Sequence, residues 1–326
     1  MNVEFHYYST AFLAVKAGFS LDEATTLAYA GQYVDDHYRP LEIQTGAATL
    51  FSAPTQNFSF WDPSTIFDVL ASFHFLPGGQ FTGPSPRADG RHSVWDVRPD
   101  SAPAKALLIG ALRTGSLHRI GLALHTYSDT WAHQNFTARN EEWNRLDPST
   151  RLPSPGHAQA GWAPDLWLAE WSDPRLKEPS VVNFGRFAAC ARKVYRYLCT
   201  FRGRGFGDEA DVAAELAALV SAGRGRESVE DRAIEFILTL NLEPYDKKLW
   251  TRRALEPFED PLPWPALERW KKVGEHLLDR TGLSRPLAVR AKPGFETTDL
   301  AAWMRAADEH RAAARELIKE ATGGHP

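Results

Sequence analysis

Leu117-His-Arg-Ile-Gly-Leu-Ala-Leu-His-Thr-Tyr-Ser-Asp-Thr-Trp-Ala-His133 is the stretch that decides the fold and the chemistry. It has helical periodicity, and it sets His118, His125, Asp129 and His133 at spacings of seven, four and four residues. At about 100° per residue these four stay on one face, drifting only about 80° from end to end. They form a polar ridge. Ile120, Leu122, Leu124, Tyr127 and Trp131 flank the ridge, which predicts a helix surrounded by protein rather than one facing water. Burying unpaired imidazoles and a carboxylate is costly, and coordination of a cation removes that cost. His125-x3-Asp129-x3-His133 therefore reads as a set of metal ligands, two nitrogen donors and a carboxylate able to bridge two ions. His118, one turn farther out, is left open between ligand and supporting residue.

Outward from that helix, the pattern stays helical and alternating strand patterns are nearly absent, so an all-α fold is expected. A first helix is predicted over about 5–17, stopping at Gly18. Ser20-Leu-Asp-Glu23 is a capping box opening a helix to about Asp36, with Pro40 marking its exit. Residues 41–63 read as irregular chain, Pro63-Ser64 starts a short helix through Phe73, and Gly78 to Pro103 is loop. The metal-ligand helix is expected as one long element from about Ala104 to His133. A Pro/Gly-rich stretch, Asp147 to Pro164, leads into a Trp-rich helical segment at Asp165–Trp171. Beyond Pro179, amphipathic helices are expected at about 183–202, 208–222, 227–240, 262–282 and 297–321. Residues 1–175 are read as a metal-binding helical core and 176–326 as a helical remainder packed on it, together one continuous domain.

With 326 residues, 43% of them hydrophobic, the chain can bury a full core. Its two cysteines, Cys190 and Cys199, lie nine apart on one helical stretch, too far to bridge, and are read as reduced core residues. Thiolate zinc sites are excluded, leaving imidazole and carboxylate. The net charge of -4 shows no basic stripe, which argues against a duplex nucleic-acid binder. No signal peptide or membrane-spanning stretch is visible, so a cytoplasmic location is expected, or export by a route needing no cleaved signal.

Further candidate ligands are scattered over the first half. Asp35 continues the small and apolar face of Ala24, Leu27, Ala28 and Gly31, whereas Asp36 points about 100° away, and Asp36 and His37 are read as a helix end facing water. His74 closes the apolar run DVLASFHFLPGG, His6 sits in VEFHYYST, and His157 and Asp165 lie in PGHAQAGWAPDL. Each of these is weak alone, since a lone histidine in such a place is more often a satisfied core residue. Trp131, Phe136, Trp162 and Trp167 are read mostly as core, with a pocket wall as the alternative.

Taken in order, His6, Asp35, His74, His125-x3-Asp129, His133, His157 and Asp165 resemble the ligand series of the zinc-dependent phospholipase C and single-strand-specific nuclease superfamily. FHYYST, AYAGQYVDD, FHFLPG and HTYSDTWAHQNF also look like an uncharacterised bacterial family with those motifs, over about residues 1–170. The resemblance implies an all-α enzyme with two or three zinc ions in a cleft, and a metal-dependent hydrolase of phosphoester bonds using a metal-activated water. It implies that Asp35, His74, His125 and Asp129 hold one ion of a close pair. His6 with Asp35 or Asp129 would touch its neighbour, and His133, His157 and Asp165 would hold the third. Asp35 would also orient the water or act as general base, and the substrate would be a small-molecule or lipid phosphoester.

Three features depart from the superfamily, and all bear on the third ion. A processed N-terminal Trp is a ligand there, whereas this chain begins Met-Asn-Val; the Asp129-to-His133 gap is shorter; and the last pair is His157-x7-Asp165 rather than His-x3-acid. Two other classes stay open: a di-iron or di-manganese redox bundle, although the paired Glu-x-x-His motifs are missing, and a non-catalytic protein braced by metals. An HD-type phosphohydrolase is a weaker alternative, since no His-Asp dipeptide occurs.

Overall fold

A computed structural model describes residues 1–57, 62–150, 154–226, 228–257 and 286–324. The expected helix at 262–282, with His276, lies outside these residues, as does His325. The architecture is mostly helical with two small sheets.

The chain opens with a π-helical segment, Glu4–Ser9, that runs straight into α1, Thr10–Lys16. The hydroxyls of Ser9 and Thr10 donate to the carbonyls of Glu4 and Phe5, at 2.7 and 2.9 Å, five residues back. These bonds support the wide winding, which a count of apolar positions does not register. Gly18, at φ +95°, ends the element as expected. Helix α2, Leu21–Asp36, starts at Ser20 with the complete reciprocal capping box to Glu23. A single turn, α3, Pro63–Thr65, is capped by the Asp62 side chain and again continues as a π-helical segment, Ile66–His74. Both widened segments carry a candidate ligand, His6 and His74, and π winding is found mostly where a side chain must be re-aimed for function.

The long helix expected from Ala104 to His133 is two helices, α4, Ala102–Thr114, and α5, Leu117–Ala132. Gly115 takes the left-handed conformation at φ +71°, and Ser116 caps α5 by accepting from the Arg119 amide. Gly-Ser was the available signal.

The stretch read as irregular, 41–63, contains a hairpin of β1, Leu41–Gln44, and β2, Thr49–Ser52. Strands of four residues are too short to display a convincing alternation, and β1 has its second, parallel partner in β5, Leu287–Arg290. The Trp-rich segment is not helical. Asp165 ends a 3-10 turn, Ala163–Asp165, and Glu170–Ser172 is strand β3, paired with β4, Ser180–Val182. The cause is Asn183, which opens α6, Asn183–Phe201: its amide donates to the carbonyls of Ala163 and Leu166 at 2.7 and 2.8 Å and so takes up groups a helix would have used.

α7, Glu209–Ala222, and α8, Val229–Leu240, follow close to the expected positions, then a short α9, Leu249–Ala254, and α10, Asp299–Thr322. α6 and α10 pack on α5, and α8 packs on the first π-helical segment, so residues beyond 175 close around the ligand-bearing helices. Cys190 and Cys199 are free and buried, as expected.

At the centre, α2 crosses α5 at Gly31 and Gly121. A methyl group on Gly121 would lie 2.3 Å from the Leu27 carbonyl oxygen, and one on Gly31 would lie 3.1 Å from the Gly121 carbonyl oxygen. Main-chain atoms cannot step aside as a flexible side chain can, so the absence of Cβ at Gly121 sets how closely Asp35 approaches His125 and Asp129. We expect Gly121→Ala to cost about 1–3 kcal/mol through overpacking. Gly110→Ala, on α4 with nothing within 4 Å of its added methyl, should be neutral or stabilising by about 0.5–1 kcal/mol. Denaturant unfolding of both variants checks the contrast, and equal effects would refute a tight crossing.

Candidate metal centre

The two π-helical segments, the C-terminal end of α2, one face of α5 and the loop before β3 converge on a single point. It is the Asp129 carboxylate, 1% exposed. Its Oδ1 lies 3.1 Å from His6 Nε2. Its Oδ2 lies 3.2 Å from His74 Nδ1 and 3.3 Å from His125 Nε2. Asp35 Oδ1 stands 3.8 Å from both of those nitrogens, which are 3.2 Å from each other. A second cluster adjoins the first: Asp165 Oδ1 is 2.8 Å from His133 Nε2 and its Oδ2 is 3.4 Å from His157 Nε2. The Met1 amino group bridges the two, touching Asp129 Oδ1 and lying 3.2 Å from Asp165 Oδ1.

All eight residues singled out as ligands, His6, Asp35, His74, His125, Asp129, His133, His157 and Asp165, thus lie in one connected cluster. Three subsets bring their donor atoms within 4.8 Å of one another and could hold a metal ion: His6 with His125 and Asp129; Asp35 with His74 and His125; His133 with His157 and Asp165.

Main-chain carbonyls fix three of the imidazoles. His74 Nε2 donates to the Thr55 carbonyl at 2.9 Å, His133 Nδ1 to the His74 carbonyl at 2.8 Å, and His157 Nδ1 to the Gly161 carbonyl at 3.0 Å. A carbonyl only accepts, so in each neutral ring the other nitrogen holds a lone pair. Those lone pairs, on His74 Nδ1, His133 Nε2 and His157 Nε2, face carboxylate oxygens, which are also acceptors. Acceptor against acceptor is unfavourable unless a cation or a proton lies between them. A metal suits the spacing, because four donors at zinc's ordinary bond lengths sit about 3.3 Å apart, close to the separations around His74, His125, Asp35 and Asp129. Such outward hydrogen bonds are how metal-binding histidines are oriented.

Burial, with the neighbouring His125 and amino group, depresses His6 to about 4. Burial likewise brings His125 and His157 to about 4, so all three are neutral and able to donate lone pairs near pH 7. His74 is the exception among the shifted histidines: against burial, which lowers it, Asp129 and Asp35 raise it above its ordinary value, as expected where an imidazole nitrogen faces carboxylates with no metal between them. Burial works against the charge on Asp129, yet the Met1 amino group and His133, His125 and His6 hold it well below the usual carboxylate range. Asp165 is also held low, against burial, by His157, the amino group and His133. Asp35 differs. Burial lifts its carboxyl to about 6, opposed by His6 and His74, and 24% of its side chain remains exposed to the cleft.

Asp36 and His37 do not form the water-facing helix end expected of them. Asp36 lines the cleft, and its Oδ2 accepts from Tyr245 at 2.8 Å and from Gln32 at 3.2 Å. His37 is buried against Trp303 and bonds Ser52 at 2.9 Å, an environment created by the β1–β2 hairpin that the sequence reading left irregular. His118 stands apart from the cluster, bonded to Asp299 at 3.0 Å and packed on Trp250. His310 is buried between Arg119, Thr126 and Ser72 and reaches no donor of the cluster. Trp167 and Phe136 are core and Trp131 packs against it, whereas Trp162 is 68% exposed at the cleft mouth. Thr55, Gly161 and Asn183, which orient or place the ligands, carried no sequence signal because they act through main-chain atoms or across long separations.

The cleft above the cluster has a volume of about 440 Å³. Asp35, Asp36, His74, Asp129, His133 and Asp165 lie along its floor and sides, and Val3, Leu70, Phe75 and Trp162 give it apolar walls, with neither lysine nor arginine lining it among the described residues. Gly156, at φ +51°, packs so tightly on Phe75 that an added methyl would meet the ring at 2.5 Å, which sets the approach of the His157 loop.

This is a mostly helical protein whose imidazole and aspartate clusters could hold metal ions. The chain belongs to the family described as "Family of unknown function (DUF6765)", whose model matches residues 1–318. Neither a curated protein nor a solved structure matches the chain. Among the described residues no helix is long and apolar enough to cross a membrane.

The depressed histidines predict a pH dependence for the metal-free protein. Between about pH 4 and 6.5 the unfolded chain binds protons at His6, His125 and His157 that the folded chain refuses, so stability is lost as pH falls through this window. The raised Asp35 carboxyl has the opposite sign, contributing stability below its ordinary value that disappears as pH rises through about 6. Burial also depresses His37 to about 4 and holds His310 well below its ordinary value, which adds to the loss, while Asp96, lifted to about 6 by burial, and the raised His74 oppose it; the depressed histidines are the larger set. Chelator-treated protein should therefore lose roughly 10 °C in Tm between pH 6.5 and 4.5, followed by calorimetry, and a Tm that holds or rises would contradict the assignment.

Proposed function

We propose that this protein is a metal-dependent hydrolase of phosphoester bonds, holding zinc in the manner of the zinc-dependent phospholipase C and single-strand-specific nuclease superfamily. The observation that carries the metal reading is the set of carbonyl-fixed imidazoles whose lone pairs face buried carboxylates. Imidazole and aspartate without thiolate suit zinc, though manganese and other divalent ions accept such donors. Asp35, His74, His125 and Asp129 would hold one ion, His6 with Asp129 its neighbour, and His133, His157 and Asp165 a third. The Met1 amino group stands beside Asp165, on the side of the cluster where the superfamily uses its N-terminal residue. When bound, divalent ions of this kind supply Lewis acidity, making water acidic near neutral pH and neutralising charge on phosphoryl oxygens.

The chain's own groups supply the remainder. Asp35 is the acid of the cluster that reaches the cleft with a carboxyl lifted towards neutrality, so it can take a proton from water and release it again near pH 6. Gln32 and the Asp36–Tyr245 pair stand beside it and line or support the same wall. Phe75, stacked on His133 with ring centroids 4.5 Å apart, and Trp162 at the mouth limit the access of bulk water. An open cleft over the donors favours catalysis over ions that merely brace the fold, since a bracing ion keeps no free position. Among the described residues the lining carries no lysine or arginine, which suits a single phosphoester group better than a long polyanion.

Metal analysis of protein purified without added metal, paired with a screen of phosphodiesters and phospholipids, tests this reading. We expect one to three zinc ions per chain, hydrolysis of at least one phosphoester, and loss of both in Asp129→Ala. Metal content unchanged in that variant would sink the assignment of the centre. Full metal occupancy with no phosphoester hydrolysed would leave the ions in place and remove the hydrolase.

A further inference from the structure

A second cavity, of about 610 Å³, lies on the other side of the turn that follows His133. Its walls include the loop Gly78–Arg98, the start of α4, Gln134 and Asn135, and Arg186 of α6. Val97 ties this loop to the turn, donating to the Phe136 carbonyl at 2.8 Å and accepting from the Asn135 amide at 3.1 Å. The cavity is thus built against the turn that follows His133, and none of the eight clustered residues lines it.

The charged groups around it are unevenly matched. Arg91 is paired with Asp89 at 3.0 Å, and Asp100 is satisfied by Lys193 and Tyr127, both at 2.9 Å. Asp96 accepts from the Trp143 indole at 3.1 Å. Two guanidinium groups remain. Arg98 donates only to the carbonyls of Gly79 and Gln80 and packs over Phe81, with no carboxylate in ion-pair range among the described residues. Arg186, partly buried, makes no hydrogen bond and no close ion pair among the described residues; burial lowers its pKa, the Asp173 charge acts on it only from beyond ion-pair range, and its Nη1 is buried without a partner. Burying a cationic donor unpaired costs several times what an ordinary hydrogen bond contributes, so such a group is retained where an anion completes it. Planar guanidiniums meet tetrahedral oxyanions with paired N–H donors, which suits them to phosphate better than a lysine would be.

We propose that this cavity is an oxyanion-binding site, taking a phosphate group on Arg186 and Arg98, either as the free ion or as the end group of a small phosphorylated molecule. The site stands independently of the hydrolase reading, because it uses none of the metal-centre residues. Its volume leaves room beyond a single phosphate.

Isothermal titration of inorganic phosphate into the full-length, metal-containing protein tests it, with phenylphosphonate, which has no ester bond to hydrolyse, as a second probe. A saturable event at least about tenfold weaker in Arg186→Gln, partly restored in Arg186→Lys, and unchanged in His157→Ala, which alters the metal cleft alone, is expected; phosphate held at the metal centre gives a separate event that Asp129→Ala abolishes. Tighter binding of phenylphosphonate would assign the site to a phosphorylated organic molecule, and equal binding to the free ion. Circular dichroism checks folding, and Arg98→Gln gives the same reading should Arg186→Gln fail to fold. An unchanged number of binding events in both arginine variants, or loss of the arginine-dependent event in His157→Ala, would overturn the proposal, as would no saturable binding below about 10 mM.

Discussion

A carboxylate with 1% of its surface exposed cannot stay ionised in a protein interior unless positive charge is brought to it. Asp129 is that carboxylate, and the rest of the centre follows from it. Three of the groups nearest to its oxygens are imidazole nitrogens, and main-chain hydrogen bonds turn a lone pair of His74 inward instead of an N–H. The Met1 amino group supplies some of the missing charge. It does not resolve the facing acceptors around His74, His125 and Asp35, nor those of His157 and Asp165, where a shared cation would satisfy all of them at once.

Holding those groups together is chiefly the work of main-chain geometry. Glycine at the α2–α5 crossing lets two helices approach at backbone contact, which carries Asp35 to within 3.8 Å of His74 and His125. The π-helical winding of Glu4–Ser9 and Ile66–His74 re-aims His6 and His74 towards Asp129. Asn183 pins the turn that ends in Asp165, and Gly161 orients His157. Rigid elements and their carbonyls thus set the positions before any ligand arrives, an arrangement suited to a centre that must keep its geometry.

How much of this could be read from residues alone depended on the range over which each signal acts. The face of α5 was legible, because His125, Asp129 and His133 recur at helical spacing, and the capping box at Ser20 placed α2 and with it Asp35. His6, His74, His157 and Asp165 had no local signature and stood out only as members of an ordered series. The break at Gly115-Ser116 was available in the sequence but masked by continuous apolar periodicity on both sides. The β1–β5 pairing joins residues about 245 apart, beyond any local pattern, and the burial of His37 followed from the neighbouring hairpin. The Trp-rich segment was misread because Asn183, 18 positions beyond Asp165, decides its backbone. Carbonyl partners such as Thr55 have no side-chain signature at all.

On the proposed function, a metal cation and not a proton lies between the facing acceptors of the cluster. Anomalous diffraction from crystals of the protein, recorded on both sides of the zinc absorption edge, addresses it most directly. Anomalous peaks are expected between Asp129 and the His74–His125 pair and beside His133, His157 and Asp165, with nitrogen and oxygen ligands only. Well-ordered density for these side chains with no anomalous peak at any metal edge, and His74 hydrogen-bonded directly to Asp129 in its place, would contradict it.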